Sequence, residues 1–332
     1  MLAETIFKAL ADPTRLRTMR LLSAMELAVG ELAQVLGQSQ PRVSRHVGIL
    51  CDAGLAERRR EGSWVFLRQA SGEAIDTDIL TAAQNLLAIA EQNDPDFASL
   101  CEADRRKLAS IRDARDAQAE DYFARHASEW DALRALHSPD AQVEEALIKA
   151  LGDAPLGSLL DIGTGTGRMA ELFANKADRI TALDKNLEML RVARAKLQHL
   201  PDAQIELVQG DFTDLPLLED AFDTVLLHQV LHFAQDPADP LAEAARVTKS
   251  GGRIAIVDFA AHDREELRDA HAHARLGFTD TQMASLLRAA GFSAGAPIAL
   301  DGGELVVKIW IGKRRRASAP SRQSQSAKAP AL

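Results

Sequence analysis

The segment Leu159–Gly167 reads LLDIGTGTG and decides the fold of the larger part of this chain. Its apolar start is typical of a buried strand, and the glycine loop that follows opens a helix. Three glycines at alternate positions let a backbone lie flat against a ligand, where any side chain would collide. The dinucleotide-binding fingerprint would need a glycine in place of Arg168, so the pattern here is Asp-x-Gly-x-Gly-x-Gly. The segment predicts a nucleotide-type ligand site at the end of a strand.

Strand-like and helix-like segments alternate from residue 158 onward. We predict strands near 158–162, 180–184, 205–209, 223–227, 253–258, 297–300 and 304–311, and helices near 167–176, 187–199, 238–248 and 279–290. Such alternation predicts an α/β fold with a doubly wound, mostly parallel sheet covered on both faces. The last two strands have no helix between them, so we expect them to form an antiparallel edge hairpin.

Polar and aromatic residues follow the ends of the next strands. Asp184 ends the second strand, where a carboxylate can accept hydrogen bonds from both hydroxyls of a ribose. Asp211 and Phe212 follow the third strand and combine an acceptor with an aromatic face, which suits adenine. His228 ends the fourth strand. Because open α/β sheets bind ligands at the carboxyl ends of their strands, we expect these residues to meet in one site.

These residues resemble the class I S-adenosylmethionine-dependent methyltransferases, especially the branch similar to the quinone-biosynthesis enzymes, over roughly 122–312. The resemblance implies a Rossmann-like fold and S-adenosyl-L-methionine as cofactor. It assigns cofactor contacts to Tyr122, Asp161, Gly163, Gly165, Gly167, Asp184, Asp211, Phe212 and His228. In this assignment the three glycines and Asp161 face the methionine end, Asp184 the ribose, and Asp211 with Phe212 the adenine. Tyr122 would close over the cofactor from the preceding helix.

Two histidines near the expected methyl group, His228 and His232, are candidates for a catalytic base. Methyl transfer from a sulfonium mainly needs alignment, and it needs a base when the nucleophile carries a proton. The alternative is structural: His228 would line the cofactor pocket and His232 would cap the following turn. The methyl acceptor is expected to be a small molecule, without further definition from the sequence.

Three further histidines, His262, His271 and His273, are candidates for a metal-binding site. His271 and His273 are two apart on a predicted helix, so they should point to different faces. A zinc site would also favour cysteines or histidines four apart on a helix. We therefore predict no metal site, and expect a solvated or substrate-side role for this segment.

An unrelated pattern precedes the sheet. Helices are predicted over 2–11, 13–23, 29–36 and 40–52, followed by strands 55–60 and 63–69 that join at a Glu-Gly turn. This order predicts a winged helix-turn-helix, mainly α with a β-hairpin wing. The runs ALADPTRLR at 9–17 and SQPRVSRH at 39–46, with the wing at 57–66, resemble the ArsR/SmtB family of DNA-binding regulators.

The resemblance and the helix pattern together indicate which residues bind DNA. Val43, Val47 and Leu50 form the buried stripe of the second helix, which leaves the polar side chains for the outer face. We predict contacts with a double-stranded operator from Ser39, Gln40, Arg42, Ser44, Arg45, His46, Arg58, Arg59 and Arg60. Those on the helix reach base edges or phosphates, and the three wing arginines reach the DNA backbone or minor groove. The alternative for the arginine triplet is a solvated strand.

The ArsR/SmtB family dimerises through its first and last helices. Residues 73–92 carry a matching apolar face and predict a homodimer, although this face could instead pack on the methyltransferase domain. Metal-sensing members place cysteines where this chain has Ala28 and Gly30, so metal sensing is not expected.

Charge is unevenly distributed along the 332 residues, whose net charge is −9. The first 72 residues carry ten Lys/Arg and seven Asp/Glu, and the last twenty carry six Lys/Arg and no acid, so the segment between them is acidic. Nucleic-acid contact should therefore fall to the N-terminal part. No membrane span, secretory pattern or disulfide framework is predicted, which favours the cytoplasm.

These observations predict four segments: a winged helix-turn-helix domain at 1–72, dimerisation and connecting helices at 73–120, a methyltransferase domain at 121–312, and a disordered basic tail at 313–332. Two functions fit this organisation. In one, the chain is a transcriptional regulator whose DNA affinity responds to the cofactor. In the other, it is an active methyltransferase of a small-molecule acceptor whose N-terminal domain controls its own operon.

Overall fold

A computed structural model describes residues 2–61, 64–70, 77–137, 140–301 and 303–315. Its N-terminal part consists of α1 (Leu2–Leu10), α2 (Pro13–Ala24), β1 (Leu27–Ala28), α3 (Val29–Leu36), α4 (Gln40–Asp52), β2 (Ala56–Glu61) and β3 (Trp64–Gln69). Asp12 caps α2 by accepting from the backbone N–H groups of Thr14 and Arg15. Gly37 ends α3 in the left-handed conformation. The three strands form an antiparallel sheet in the order β1-β3-β2, which confirms the winged helix-turn-helix.

The connecting region contains α5 (Thr77–Asn93), α6 (Pro95–His126), α7 (Trp130–His137) and α8 (Asp140–Leu151). The boundary predicted at residue 120 between the connecting helices and the methyltransferase domain falls inside α6, which continues unbroken for 32 residues. Asp94 caps it, Pro95 occupies its first turn, and no glycine or proline interrupts it before its end. Nor is it solvated on all sides, since Cys101, Asp104 and Leu108 are buried.

The larger domain alternates strands and helices as predicted. It contains β4 (Gly157–Ile162), α9 (Arg168–Phe173), β5 (Ala177–Asp184), α10 (Leu187–Leu197), β6 (Ile205–Gln209), β7 (Phe222–His228), a 3₁₀ turn (Leu231–Phe233), α11 (Ala238–Val247), β8 (Thr248–Phe259), α12 (Glu266–His271), α13 (Asp280–Ala289), β9 (Phe292–Ala294), β10 (Ile298–Leu300) and β11 (Val307–Arg314). The sheet order is β10-β11-β8-β7-β4-β5-β6, with β9 paired to β11.

This topology places the glycine loop at the switch point of the sheet. Strands β4 to β8 are parallel, and the chain passes from β4 to β5 and β6 on one side before it crosses to β7 on the other. The loops after β4 and β7 therefore diverge and leave a crevice between them. Leu159 and Leu160 belong to separate cores on the two faces of the sheet, as expected for a doubly wound strand.

The C-terminal edge also follows the sequence pattern, with one correction. β10 and β11 pair antiparallel, as predicted for the edge hairpin. The predicted start of the tail at residue 313 is too early, because Lys313 and Arg314 still pair with Ser293 and Phe292 in the sheet. The rest of that prediction, at 316–332, lies outside the described residues. Within the described ranges, no helix has the length and apolarity needed to cross a membrane.

Candidate functional site

Backbone geometry requires glycine in the loop after β4. Gly163 has a φ of +68°, and a Cβ atom placed there would lie 2.1 Å from Val230 Cγ2. Gly165 has a φ of +54°, and its backbone N–H donates to Asp184 Oδ2 at 2.8 Å. The loop is therefore pressed against the residues that follow β7 and is tied to the end of β5.

The third glycine has a different role. Gly167 has a φ of +83° and stands at the N-cap of α9. A Cβ atom there would lie 2.8 Å from Leu197 Cδ1, so Gly167 allows α9 and α10 to approach closely. It does not line the cavity described below. Close helix packing, instead of ligand approach, accounts for this glycine.

Two carboxylates, the buried Asp161 and the half-buried Asp184, support the loop from its own strand and the next. Asp161 is 1% exposed and accepts from Thr164 Oγ1 at 2.6 Å. Asp184 also accepts from the backbone N–H of Asn186 at 2.8 Å. Burial raises the pKa of Asp184, against the opposing effect of backbone hydrogen bonds from Asn186, Gly165 and Lys185. Asp184 is thus a half-buried acceptor, suited to neutral donors such as hydroxyl groups.

The third acidic residue lies beyond β6. Asp211 accepts from the backbone N–H of Thr213 at 2.9 Å, and its Oδ2 lies 3.2 Å from Lys185 Nζ. Burial acts to raise the pKa of Asp211, but the Thr213 hydrogen bonds and the Lys185 ammonium together hold it below its usual value. Asp211 is therefore an ionised acceptor at neutral pH.

These groups line one cavity of about 510 Å³. Of the predicted cofactor residues, it brings together Asp161, Gly163, Gly165, Asp184, Asp211, Phe212 and His228. Tyr122 is not among the lining residues, because its hydroxyl lies 2.8 Å from His271 Nδ1. The next residue, Phe123, lines the cavity instead and packs edge-on against Phe233 at 4.8 Å. Adjacent aromatics on a helix point about 100° apart, and the sequence alone could not choose between them.

The two candidate catalytic histidines separate in the structure. His228 lines the cavity. His232 is 2% exposed, its Nδ1 lies 2.8 Å from Asp258 Oδ1, and it does not line the cavity. His232 therefore stands where it holds the turn after β7, the structural alternative considered for it. His228 is the one of the two that could take a proton from a bound acceptor.

Sequence reasoning missed Gln229, the residue between the strand end and this turn. It adopts a φ of +53°, which is rare for a residue with a side chain, and it is 6% exposed. It lines the cavity, and its amide nitrogen has no hydrogen-bond partner among the described residues. Backbone strain of this kind persists at functional sites, where surrounding contacts hold it in place. No local sequence pattern predicts this backbone conformation.

The histidines after β8 lie closer together than predicted. α12 ends at His271, and Ala272 turns the chain in the left-handed conformation. The rings of His271 and His273 are 6.5 Å apart, so the expectation that they point to different faces of a helix is wrong. His273 packs against His232 with ring centroids 4.2 Å apart. Among the described residues, no group of three or more His, Cys, Asp or Glu side chains could hold a metal ion.

Comparisons with known proteins decide the two families. A family model for a methyltransferase domain matches residues 160–256, and one for bacterial regulatory proteins of the arsR family matches residues 12–58. The chain joins an ArsR-family DNA-binding domain to a methyltransferase domain. Both resemblances drawn from the sequence are confirmed, and the matched ranges fall inside the predicted segments 1–72 and 121–312.

Several of the similar proteins are methyltransferases by name. A demethylmenaquinone methyltransferase of Renibacterium salmoninarum is 35% identical over 113 residues, 34% of this chain and 46% of that protein. A malonyl-acyl-carrier-protein O-methyltransferase of Serratia marcescens is 35% identical over 148 residues, 45% of this chain and 55% of that protein. A SAM-dependent methyltransferase structure from Thermotoga maritima covers 59% of this chain and 100% of its own, at 21% identity and a TM-score of 0.48. The chain spans about half the length of the curated relatives it matches.

The methyltransferase domain uses S-adenosylmethionine, and the cavity fits this cofactor. Gly163 and Gly165 line the cavity without side chains, and Asp184 can accept hydrogen bonds from ribose hydroxyls. Asp211 and Phe212 supply an acceptor and a ring for adenine. When bound, the cofactor supplies an electrophilic methyl group. The protein's own residues orient it and exclude water.

The ArsR-family domain presents the predicted DNA-binding face to solvent. On α4, Ser39, Gln40, Arg42, Ser44 and Arg45 are exposed, as are Arg58 and Arg60 on β2. His46 is half-buried, and its Nδ1 lies 3.6 Å from Asp12 Oδ1. Arg59 is also half-buried, because its Nε donates to Glu26 Oε1 at 3.0 Å. The exposed set lies on α4, its N-cap Ser39 and the wing, whereas His46 and Arg59 are held by their own domain.

The wing also contacts the methyltransferase domain. Arg275 is 1% exposed, and its Nη1 donates to Glu26 Oε2 at 3.2 Å. Its guanidinium lies over the ring of Phe66, 4.2 Å from the centroid. Through its other side it donates to the carbonyl of Gln235 at 2.6 Å, and Gln235 lines the cofactor cavity. One arginine therefore bridges the wing and the cofactor cavity.

Proposed function

We propose that this protein is a DNA-binding transcriptional regulator in which S-adenosylmethionine binding changes the affinity for operator DNA. One observation carries the proposal: the cofactor cavity is walled by both domains. Leu21, Ala24 and Met25 of α2, in the DNA-binding domain, line the same cavity as the glycine loop. A ligand that fills this cavity contacts or orders residues of both domains, which is the differential interaction that allostery requires.

A physical route leads from the cavity to the recognition helix. α2 packs directly against α4, which carries the exposed DNA-reading side chains. α2 is also fixed to α6, since Arg17 forms two hydrogen bonds with the buried Asp104. A shift at Leu21 or Met25 would therefore be passed to α4 through packed elements.

The test is a titration of the full chain with operator DNA, alone and with saturating S-adenosylmethionine or S-adenosylhomocysteine. We expect at least one of the two metabolites to change the operator dissociation constant by about 5-fold or more, in the usual range of coupling free energies. The operator must change the affinity for that metabolite by the same factor. Equal operator affinity in all three conditions would overturn the proposal.

The regulator is proposed to act as a homodimer in the cytoplasm. Phe7 on α1 and Leu86 and Ile89 on α5 are 65%, 52% and 56% exposed, while Leu87 on the same helix is 3% exposed and packs into the domain core. α5 thus packs on its own domain with one side and offers apolar side chains on the other. Leu86→Glu should shift sedimentation toward the monomer, and an unchanged mass would oppose this assignment.

A second function, methylation of a small-molecule acceptor, is favoured by one feature of the same cavity. Besides the cofactor residues, it contains His228 and the aromatic side chains of Phe123, Trp130 and Phe233. The curated relatives are named for methylation of a quinone precursor and a carrier-bound acid. In such a reaction His228 would accept the acceptor's proton as the new bond to the methyl carbon forms. Release of S-adenosylhomocysteine with a water-soluble demethylmenaquinone analogue, lost in His228→Ala, would support turnover; no release in the wild type would oppose it for this acceptor class.

A further inference from the structure

The cofactor cavity has a polar residue that comes from neither family domain. Asp116 lies on α6, outside the ranges matched by both family models, and it lines the cavity together with Asp211 and Lys185. It is half-buried. We propose that Asp116 binds the adenine amino group of the cofactor, beside Asp211. Recognition of the base would then depend on α6, the helix that connects the two family domains. This deepens the proposed function, on which its regulatory meaning rests.

The surroundings of Asp116 place it at the adenine end of the cavity. One helical turn after Asp116, the carbonyl of Glu120 accepts from Asn186 Nδ2 at 3.1 Å, and Asn186 follows Lys185 in the chain. The Asp116 carboxylate is close enough to Lys185 and Asp211 to interact with both electrostatically. Lys185 Nζ lies 3.2 Å from Asp211 Oδ2, so one ammonium stands near two carboxylates. Asp211 is the residue that the methyltransferase pattern assigns to adenine. These contacts place Asp116 on the side of the cavity where Lys185 and Asp211 lie.

The chemistry of adenine explains why a second carboxylate is useful there. The exocyclic amino group carries two N–H donors, and a carboxylate offers only acceptors. Asp211 can accept one of the two N–H groups, and Asp116 can accept the other. Burial, the main effect on Asp116, raises its pKa, and a donor from the ligand would offset that cost.

The position of Asp116 on α6 links the base to the DNA-binding domain. The preceding residue, Arg115, donates to Glu31 of α3 at 2.6 Å, and its guanidinium lies 5.2 Å from the centroid of the Trp64 ring on the wing. Adenine and the wing would thus contact adjacent residues of one helix. A ligand that lacks the amino group would lose the contact nearest to the wing.

The test uses the full chain and two ligands that differ at one group. S-adenosylhomocysteine carries the amino group, whereas S-inosylhomocysteine carries a carbonyl oxygen there, which would face two carboxylates. Sites built to hydrogen-bond a substrate group reject analogues that lack it strongly, up to about 10⁴-fold. Calorimetry on the wild type should show a preference for the adenosyl ligand of about 100-fold or more.

Asp116→Asn should reduce this preference by about tenfold, because an amide can donate to the inosyl carbonyl. Asp121→Asn is the matched control: it removes the same charge from an exposed position on the same helix that does not line the cavity, and it should leave the preference unchanged. An Asp116→Asn preference equal to the wild type, in protein with an unchanged melting temperature, overturns the inference. An additional Asp116→Ala variant serves if Asp116→Asn does not fold.

The outcome is separable from that of the proposed function. Whether the wild-type chain changes its operator affinity with S-adenosylhomocysteine decides the regulatory proposal. The ratio of the two ligand affinities in Asp116→Asn decides the adenine contact, with no DNA present. Either proposal can therefore fail while the other holds.

Discussion

The two ends of α6 are held by different kinds of contact. Between Asp104 and Arg115, ion pairs fix it to the DNA-binding domain: Arg17 pairs with the buried Asp104, and Arg115 pairs with Glu31. On the C-terminal side, aromatic packing and neutral hydrogen bonds hold it to the methyltransferase domain, with Phe123 as the central ring.

This difference indicates which end can respond to a ligand. The Arg17–Asp104 pair is buried and directional, so it tolerates little movement without a large loss of stability. The contacts of Phe123 line the cavity and are less directional, so they can repack when a ligand enters. We therefore expect the part of α6 up to Arg115 to move with the DNA-binding domain, and the last turns around Phe123 to respond to occupancy of the cavity.

The largest effect is expected from Asp104→Ala. Removing one partner of a buried ion pair leaves the Arg17 guanidinium uncompensated, and such changes cost about 3–5 kcal/mol in the free energy of unfolding. Urea denaturation followed by circular dichroism measures it. Glu102→Ala is the control, because its pair with Arg106 is exposed on both sides and should cost less than about 1 kcal/mol. Similar losses in the two variants would mean that the N-terminal anchoring is not electrostatic.

Phe123→Ala should have the next largest effect, at the opposite end. It removes ring contacts with Phe233 at 4.8 Å and Trp130 at 5.3 Å from a half-buried position. We expect a loss of about 2 kcal/mol in stability and about tenfold weaker binding of S-adenosylhomocysteine by calorimetry. Phe123→Leu keeps most of the volume and should recover much of the affinity. If Phe123→Ala binds as tightly as the wild type, this end of α6 does not sense the ligand.

Arg275→Met tests the second bridge between the domains. It keeps an apolar stem but removes the ion pair with Glu26 and the contact over Phe66. Because Glu26 remains paired with Arg59, the stability cost should be about 1–2 kcal/mol. The response of operator affinity to cofactor should fall several-fold. Arg264→Met is the control, because the partners of Arg264 are exposed. If the operator affinity of Arg275→Met still responds to the cofactor as in the wild type, Arg275 does not couple the two domains.

The smallest expected effect is a dependence of cofactor affinity on pH. Burial raises the pKa of Asp184 in the free protein, so Asp184 keeps its proton to a higher pH than an exposed carboxyl. Ribose hydroxyls donate best to the ionised form, so binding should release a proton and strengthen as pH rises through that raised pKa. Calorimetry in buffers of different ionisation enthalpy would count the protons. Asp184→Asn should flatten the profile; a profile of unchanged slope would assign the titration to another group.

Sequence patterns predicted the parts of this structure that rest on local chemistry. The site residues that they predicted stand at strand ends: the loop at Gly163 and Gly165, and the acceptors Asp184 and Asp211. Once the sheet order is known, the strand ends fix where these residues lie. The winged helix-turn-helix was predictable because its turns and apolar stripes lie within a short run of residues.

Features that depend on distant partners were not predictable in this way. The charged composition of α6 indicated a solvated helix, because nothing near Asp104 shows that Arg17, 87 residues earlier, would neutralise it. Arg275 finds Glu26 across 249 residues, and no motif marks either. The choice of Phe123 over Tyr122 depends on the rotation of a helix, and the strained backbone of Gln229 depends on the packing of the turn after β7.

The unbroken course of α6 sets a rule for how such chains can vary in length. Each residue added to an α-helix advances it by about 1.5 Å and turns it by roughly 100°. A single residue inserted between Arg115 and Asp116 would rotate the DNA-binding domain by about 100° relative to the methyltransferase domain. Seven inserted residues complete nearly two turns and restore the facing to within about 20°. Hybrids that join this DNA-binding domain to other ligand-binding domains should therefore keep their response only when the spacer grows by about seven, eleven or eighteen residues, which come within about 20° of whole turns.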